Sequence, residues 1–68
     1  MNKLSARNQI KGKIVDVTKG ATTSHVRIDA GGTIITAAIT NEAVAELGLK
    51  AGVEAWAVIK ASDVMIGV

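Results

Sequence analysis

Apolar residues recur along the first half of the chain at every second position, the spacing of half-buried strands rather than of helices. In residues 9–18, Ile10, Gly12 and Ile14 fall on one face, and Val15 and Val17 then continue the apolar pattern on the other. Such a change of phase predicts a β-bulge, or a strand covered on both sides. Lys19-Gly20-Ala21 reads as a turn. In residues 22–29, Val26 and Ile28 face inward while His25, Arg27 and Asp29 face outward, which predicts a second strand. Ala30-Gly31-Gly32 reads as a hairpin turn, because glycine takes positive φ at no steric cost. Residues 33–39 are rich in β-branched side chains and predict a third strand.

The spacing then changes. Thr40 or Asn41 can cap a helix, Glu42 places an acid in its first turn, and Val44 and Leu47 lie three apart as a buried stripe. Gly48 is a natural stop. After an Ala51-Gly52 turn, residues 53–60 predict a fourth strand and residues 64–68 a short fifth. The expected fold is all-β with one short helix. Strand-strand-strand-helix-strand-strand is the element order of a five-stranded OB-like barrel, with the helix between strands three and four. A swapped β dimer shares this pattern.

Sixty-eight residues make one domain, residues 1–68. A domain of this size buries only about 60% of the surface its unfolded chain exposes. Disulfides, a structural metal or oligomerisation usually supply the rest. There is no cysteine, and one histidine with six scattered carboxylates makes a poor metal cage. Yet 49% of the chain is hydrophobic, more than so small a core needs, which predicts a homo-oligomer with apolar faces buried between subunits. A net charge of +2 is weak grounds for a polyanionic partner. No stretch reaches the length of a membrane span, so no membrane partner is expected. The first residues lack the apolar core of a signal peptide, and with the missing cysteines this points to the cytoplasm.

The chemistry-bearing residues exclude more than they include. There is no glycine-rich phosphate loop with its Lys-Ser/Thr, no dinucleotide-binding fingerprint, and no serine-histidine-acid set that can be nominated. Asp16, Asp29, Glu42, Glu46, Glu54 and Asp63 are scattered, and His25 reads as an ordinary surface residue. An enzyme is therefore not expected, nor a cofactor. OB barrels that bind single strands stack bases on aromatic rings. Here Trp56 is the sole aromatic residue and sits in an apolar run, so nucleic acid is not an expected partner.

Two clusters near the ends of the chain remain: Ser5-Ala6-Arg7-Asn8-Gln9 and Ile59-Lys60-Ala61-Ser62-Asp63. Each offers one cation and one hydroxyl, and neither contains a nucleophile-base pair. A tetrahedral dianion needs about two positive charges and several convergent donors to offset its dehydration. Arg7 with its fork of donors and Lys60 match that charge, and Ser5 and Ser62 add hydroxyls. Thr40, at the expected helix start, is a further donor. Asp63 must point away, or pair with Arg7 or Lys60 and orient it. Lys19-Gly20-Ala21-Thr22-Thr23 is a second anion candidate, because a lysine beside a glycine turn exposes backbone amides. Solvated strand-end charges and a simple hairpin turn account for the same residues, and spacing alone leaves both readings open.

At these residues the chain resembles a known family. Ser5-Ala6-Arg7-Asn8-Gln9-Ile10-Lys11-Gly12, Ala38-Ile39-Thr40, Leu47-Gly48-Leu49 and Lys60-Ala61-Ser62-Asp63-Val64 are similar to the molbindins, small cytoplasmic molybdate- and tungstate-binding proteins. The resemblance spans essentially the whole chain. It implies an OB-like barrel, a homohexamer built as a trimer of dimers, and oxyanions held at subunit interfaces in more than one type of site. In the main type it implies Ser5, Arg7, Thr40 and Lys60, with the backbone and hydroxyls around Ala61 and Ser62. A second type near the three-fold axis falls on Lys19, Gly20, Ala21 and Thr22. The implied function is non-catalytic storage or buffering of the oxyanion, with the two end clusters converging across a subunit interface. Selection over sulfate would come from cavity size, and molybdate and tungstate, nearly equal in size, would be poorly distinguished. The alternatives are a small OB-type nucleic-acid-binding protein and a purely structural oligomerisation module.

Overall fold

A computed structural model describes residues 5–68. Its elements are β1 (Asn8–Lys19), β2 (Thr23–Asp29), β3 (Ile34–Thr40), α1 (Asn41–Leu47) and β4 (Glu54–Ile59), followed by a single 3-10 turn, Ala61–Asp63. The strands form one antiparallel sheet in the order β3-β2-β1-β4. The chain is mostly β with one short helix, and the sheet curls into half of a barrel.

β1 is shared between two partners. Asn8 to Lys13 pairs with β4, and Lys13 to Lys19 pairs with β2. The expected bulge is present: Ile14 lies opposite Ile28 and Asp16 opposite Arg27, which leaves Val15 as the extra residue. The extra residue shifts the phase, so Val17 comes opposite Val26 and returns to the core face. The apparent second apolar face of β1 is thus one face interrupted by the bulge. Beside it, the Ile14 amide donates to the Val53 carbonyl (2.9 Å) and its carbonyl accepts from the Gly52 amide (2.8 Å), which ties the turn before β4 to the bend. Arg27 donates to Asp16 across the bend at 2.6 Å.

The core is small. Ile14, Val26, Ile28 and Ala57 are buried, and Val17, Ile35, Ile39, Val44, Leu49, Val53 and Ala55 pack around them. Gly12 permits the close approach of β1 to β2: a Cβ there would lie 2.5 Å from a methyl of Ile28 and 2.6 Å from the Asp29 carbonyl oxygen. The β2–β3 hairpin turns through Gly31 and Gly32, both at positive φ, as expected. On α1, the Thr40 hydroxyl accepts from the Ala43 amide at 3.1 Å, and Gly48 ends the helix in the left-handed region.

Two expectations need correction. Residues 64–68 form no strand, so the described chain has four strands and an incomplete barrel rather than five strands. After the 3-10 turn the segment finds no ladder partner within its own chain, and its side chains stand in solvent, Met65 at 92% and Ile66 at 86% exposure. An extended backbone without a neighbour has nothing to hold it as sheet. Leu47 is 67% exposed and Val44 half-buried, so the helix stripe is only partly covered. Leu47 lines an open hollow.

Gly12→Ala should lower the melting temperature, by roughly 1–3 kcal/mol of stability, because the added methyl meets backbone on a packed strand. Glu46→Ala, at an exposed position of α1, should leave the melt nearly unchanged. Equal melting curves for the two variants would contradict the packing described.

Candidate functional site

The β1–β4 ladder brings the two end clusters together. Its last pair is Asn8 opposite Ile59, and the Asn8 side chain donates to the Ile59 carbonyl at 3.2 Å. Arg7 and Lys60 are the next residues beyond that pair, each just outside its strand. The two clusters thus lie at the same end of the sheet within one chain. Lys60 leads into the 3-10 turn, which is closed by the Asp63 amide donating to the Lys60 carbonyl at 2.9 Å. The Gln9 side chain donates to the Ala6 carbonyl at 3.2 Å and steadies the other segment. Ser5, Arg7, Lys60, Ala61 and Ser62 are all exposed.

Among the described residues the ion pairs are Lys11–Glu54 and Arg27–Asp16. Asp63 thus pairs with neither Arg7 nor Lys60. Two cations, Arg7 and Lys60, and two hydroxyls, Ser5 and Ser62, are gathered near one end of the sheet. Among the same residues, no three histidine, cysteine or acidic side chains are grouped to hold a metal ion.

Thr40 lies elsewhere. It pairs with Thr23, beside the Lys19–Ser24 pair at the far end of β1. At about 3.3 Å per residue, the ends of a twelve-residue strand are on the order of 30 Å apart. That approaches the 33 Å length of the molecule. One chain therefore cannot bring Thr40 to Arg7 and Lys60. Instead Thr40 neighbours the second candidate, the turn of Lys19, Gly20, Ala21 and Thr22, all exposed. Gly20 closes that turn, its amide donating to the Thr23 carbonyl at 2.8 Å. Beside it is a polar hollow of about 300 Å³, lined by Thr18, Lys19, Gly20, Thr23 and His25.

Two residues at this end were not singled out for it from sequence. Ser24 is buried at 1% exposure, and its hydroxyl donates to the Asn41 side-chain oxygen at 2.5 Å. Asn41 in turn donates to the carbonyls of Gly20 (3.1 Å) and Ala21 (3.3 Å). The signal for Ser24 was available: it shares the inward phase of Val26 and Ile28, and a polar side chain at an inward position requires a partner.

A second hollow, of about 430 Å³, is apolar and open. Val26, Ile28, Ala37, Ile39, Leu47 and Leu49 line it, with the five consecutive residues from Glu54 to Val58 along the unpaired edge of β4. Trp56 is 37% exposed there, and its ring lies 5.7 Å from the Lys11 ammonium. Among the described residues no helix is long and apolar enough to cross a membrane.

Comparison with known proteins identifies similar chains. Residues 4–66 match the TOBE domain. Molybdenum-pterin-binding protein 1 of Clostridium pasteurianum is 53% identical over 64 residues, which cover 93% of this chain and 94% of the relative. A molybdate-binding protein of Sporomusa ovata superposes with a TM-score of 0.94 at 31% identity, covering 98% of this chain and all of the other. ModG, described as a cytoplasmic molybdate-binding protein and solved with molybdate bound, superposes with a TM-score of 0.94 at 51% identity; the match covers 98% of this chain and 48% of ModG.

The hydroxyl of Thr40 is engaged as a helix cap. Thr40→Ala should cost about 1 kcal/mol, while Thr40→Ser should keep the cap and melt close to the parent. An unchanged melt for Thr40→Ala would show that the cap contributes nothing.

Proposed function

This chain belongs to the TOBE-domain family, in its molbindin branch, and we propose that it binds molybdate or tungstate without chemical change, as a cytoplasmic store or buffer of the oxyanion. The observation that carries this reading is the β1–β4 register. Its last pair, Asn8 with Ile59, is flanked by Arg7 and Lys60, and neither cation is in an ion pair among the described residues. Arg7 and Lys60 supply charge. Ser5, Ser62 and the backbone around Ala61 supply donors to the remaining oxyanion oxygens. The turn of Lys19, Gly20, Ala21 and Thr22 serves as a second type of site. The relatives named for binding molybdate or molybdenum-pterin support the choice of anion.

The working form is a homo-oligomer, and a hexamer of three dimers satisfies both ends of the molecule. Thr40 joins the main site from a second copy, since its own chain holds it at the opposite end of β1. The open hollow is covered by the same association. Its β4 edge offers a run of unpaired backbone over an apolar floor, which fits one extended apolar segment. Residues 64–68 of a second copy are such a segment: apolar, exposed and without a partner at home. Seated there, they complete the barrel with its fifth strand, residues 1–68 acting as one domain. The segment leaves the 3-10 turn directly after Lys60, so the oxyanion sits at the root of the exchanged strand. Anion binding and assembly should therefore stabilise each other by linkage.

Calorimetric titration with molybdate, with sulfate as competitor, tests the site. Binding that sulfate does not displace is expected, and Arg7→Ala should weaken it at least ten-fold, about 1.4 kcal/mol, with the fold retained. Unchanged affinity in a folded Arg7→Ala protein would remove this assignment. Deletion of residues 65–68 should convert the oligomer to smaller species in sedimentation. An intact hexamer after the deletion would place the contact elsewhere.

A further inference from the structure

We propose that Asn41 is the positioning residue of the second oxyanion site: it turns the carbonyls of the turn at residues 19–22 away from the anion and so presents the Ala21 and Thr22 amides to it. The inference rests on the reading of that turn as an oxyanion site.

The geometry is specific. Three successive carbonyls of the turn are drawn toward one residue. The Asn41 side-chain nitrogen takes those of Gly20 and Ala21, and its backbone amide takes that of Thr22 at 3.0 Å. Every peptide bond among the described residues is trans. In a planar trans peptide the N–H points opposite to the carbonyl of the preceding residue. The amides of Ala21 and Thr22 therefore point away from Asn41. Among the described residues, neither donates to a protein acceptor. Two successive unpaired amides pointing the same way make a concave donor for an anion oxygen, and Lys19 beside them adds charge.

Ser24 holds the arrangement in place. Its buried hydroxyl donates to the Asn41 oxygen, which fixes which end of the side-chain amide faces the turn. If Asn41 were reversed, its oxygen would face two carbonyl oxygens and the turn would be pushed apart. Gly20 is part of the same device: a Cβ at this position would come within 2.7 Å of the Thr23 carbonyl oxygen, so only glycine lets the turn close this tightly. The orientation of the donors is thus set before any anion arrives, and a preorganised site binds more tightly than one that must order on binding.

The test uses the assembled protein labelled with 15N and titrated with molybdate, following the Ala21 and Thr22 amide signals. Both should move in the parent, and the Lys19→Ala variant should need more molybdate for the same movement. The double variant Ser24→Ala/Asn41→Leu removes both partners of the buried pair and should stay folded. In it, the midpoint for Ala21 and Thr22 should rise ten-fold or more, while the response of residues beside Arg7 and Lys60 keeps its midpoint. Asn41→Asp keeps an acceptor for Ser24 but loses the donors, and should show the same selective loss. An Ala21 and Thr22 response with the parent midpoint in either folded variant would overturn the role of Asn41 and leave the site standing. Absence of any response at these amides in the parent would overturn the site itself.

Discussion

β1 is hydrogen-bonded on both sides, but along different stretches, and the rest of the molecule depends on that division. Its first half carries β4 and its second half carries β2, with the Val15 bulge just past the changeover at Lys13. The bulge does three things together. It turns the sheet into a half-barrel, restores Val17 to the core, and leaves Ile14 free to bond the turn that leads into β4. Because β4 ends where β1 begins, the residues flanking that pair of termini lie at the same end of the sheet. Because β2 begins and β3 ends where β1 ends, a separate set of residues collects at the other extreme. One strand thus gives the molecule two chemically distinct ends, one built on Arg7 and Lys60 and the other on Lys19 and Asn41.

The apolar content reads differently once the half-barrel is in view. Only Ile14, Val26, Ile28 and Ala57 are buried, while Leu47, Trp56, Val58 and the terminal Met65 and Ile66 remain in contact with solvent. A large exposed apolar area on a small chain marks an interaction surface. Here the surface has the form of a slot along an unpaired strand edge, and the chain also carries a segment of matching character. In the proposed oligomer, self-association closes the slot and removes an edge that would otherwise be open to mispairing. It would also bring the second end of a neighbouring molecule to the first end of this one.

Much of this was legible from local chemistry. The phase slip at Val15, the glycine turn at Gly31 and Gly32, the Thr40 cap and the Gly48 stop are decided by a few adjacent residues, and each stands where spacing placed it. The fold and the site departed from expectation where the deciding partner lay outside the window. Residues 64–68 have the composition of a strand, but a strand also needs a neighbour, which composition does not reveal. Leu47 has the spacing of a buried residue, but it lines an open hollow and stays exposed. Arg7 and Lys60 could be nominated as partners from their chemistry, whereas their placement at the same sheet end follows from the β1–β4 ladder, a long-range property. Asn41 was legible only as a helix cap; its hold on the turn at residues 19–22 depends on a hairpin end packing beside the helix start.

The central claim is that the oxyanion is held at the β1–β4 end by Arg7 and Lys60, with Thr40 supplied by another copy. Anomalous diffraction at the molybdenum absorption edge, from crystals grown with molybdate, locates the anion directly. A peak is expected within hydrogen-bond distance of Arg7 and Lys60 of one chain and of Thr40 of a second. Anion peaks confined to positions remote from both Arg7 and Lys60 would contradict it.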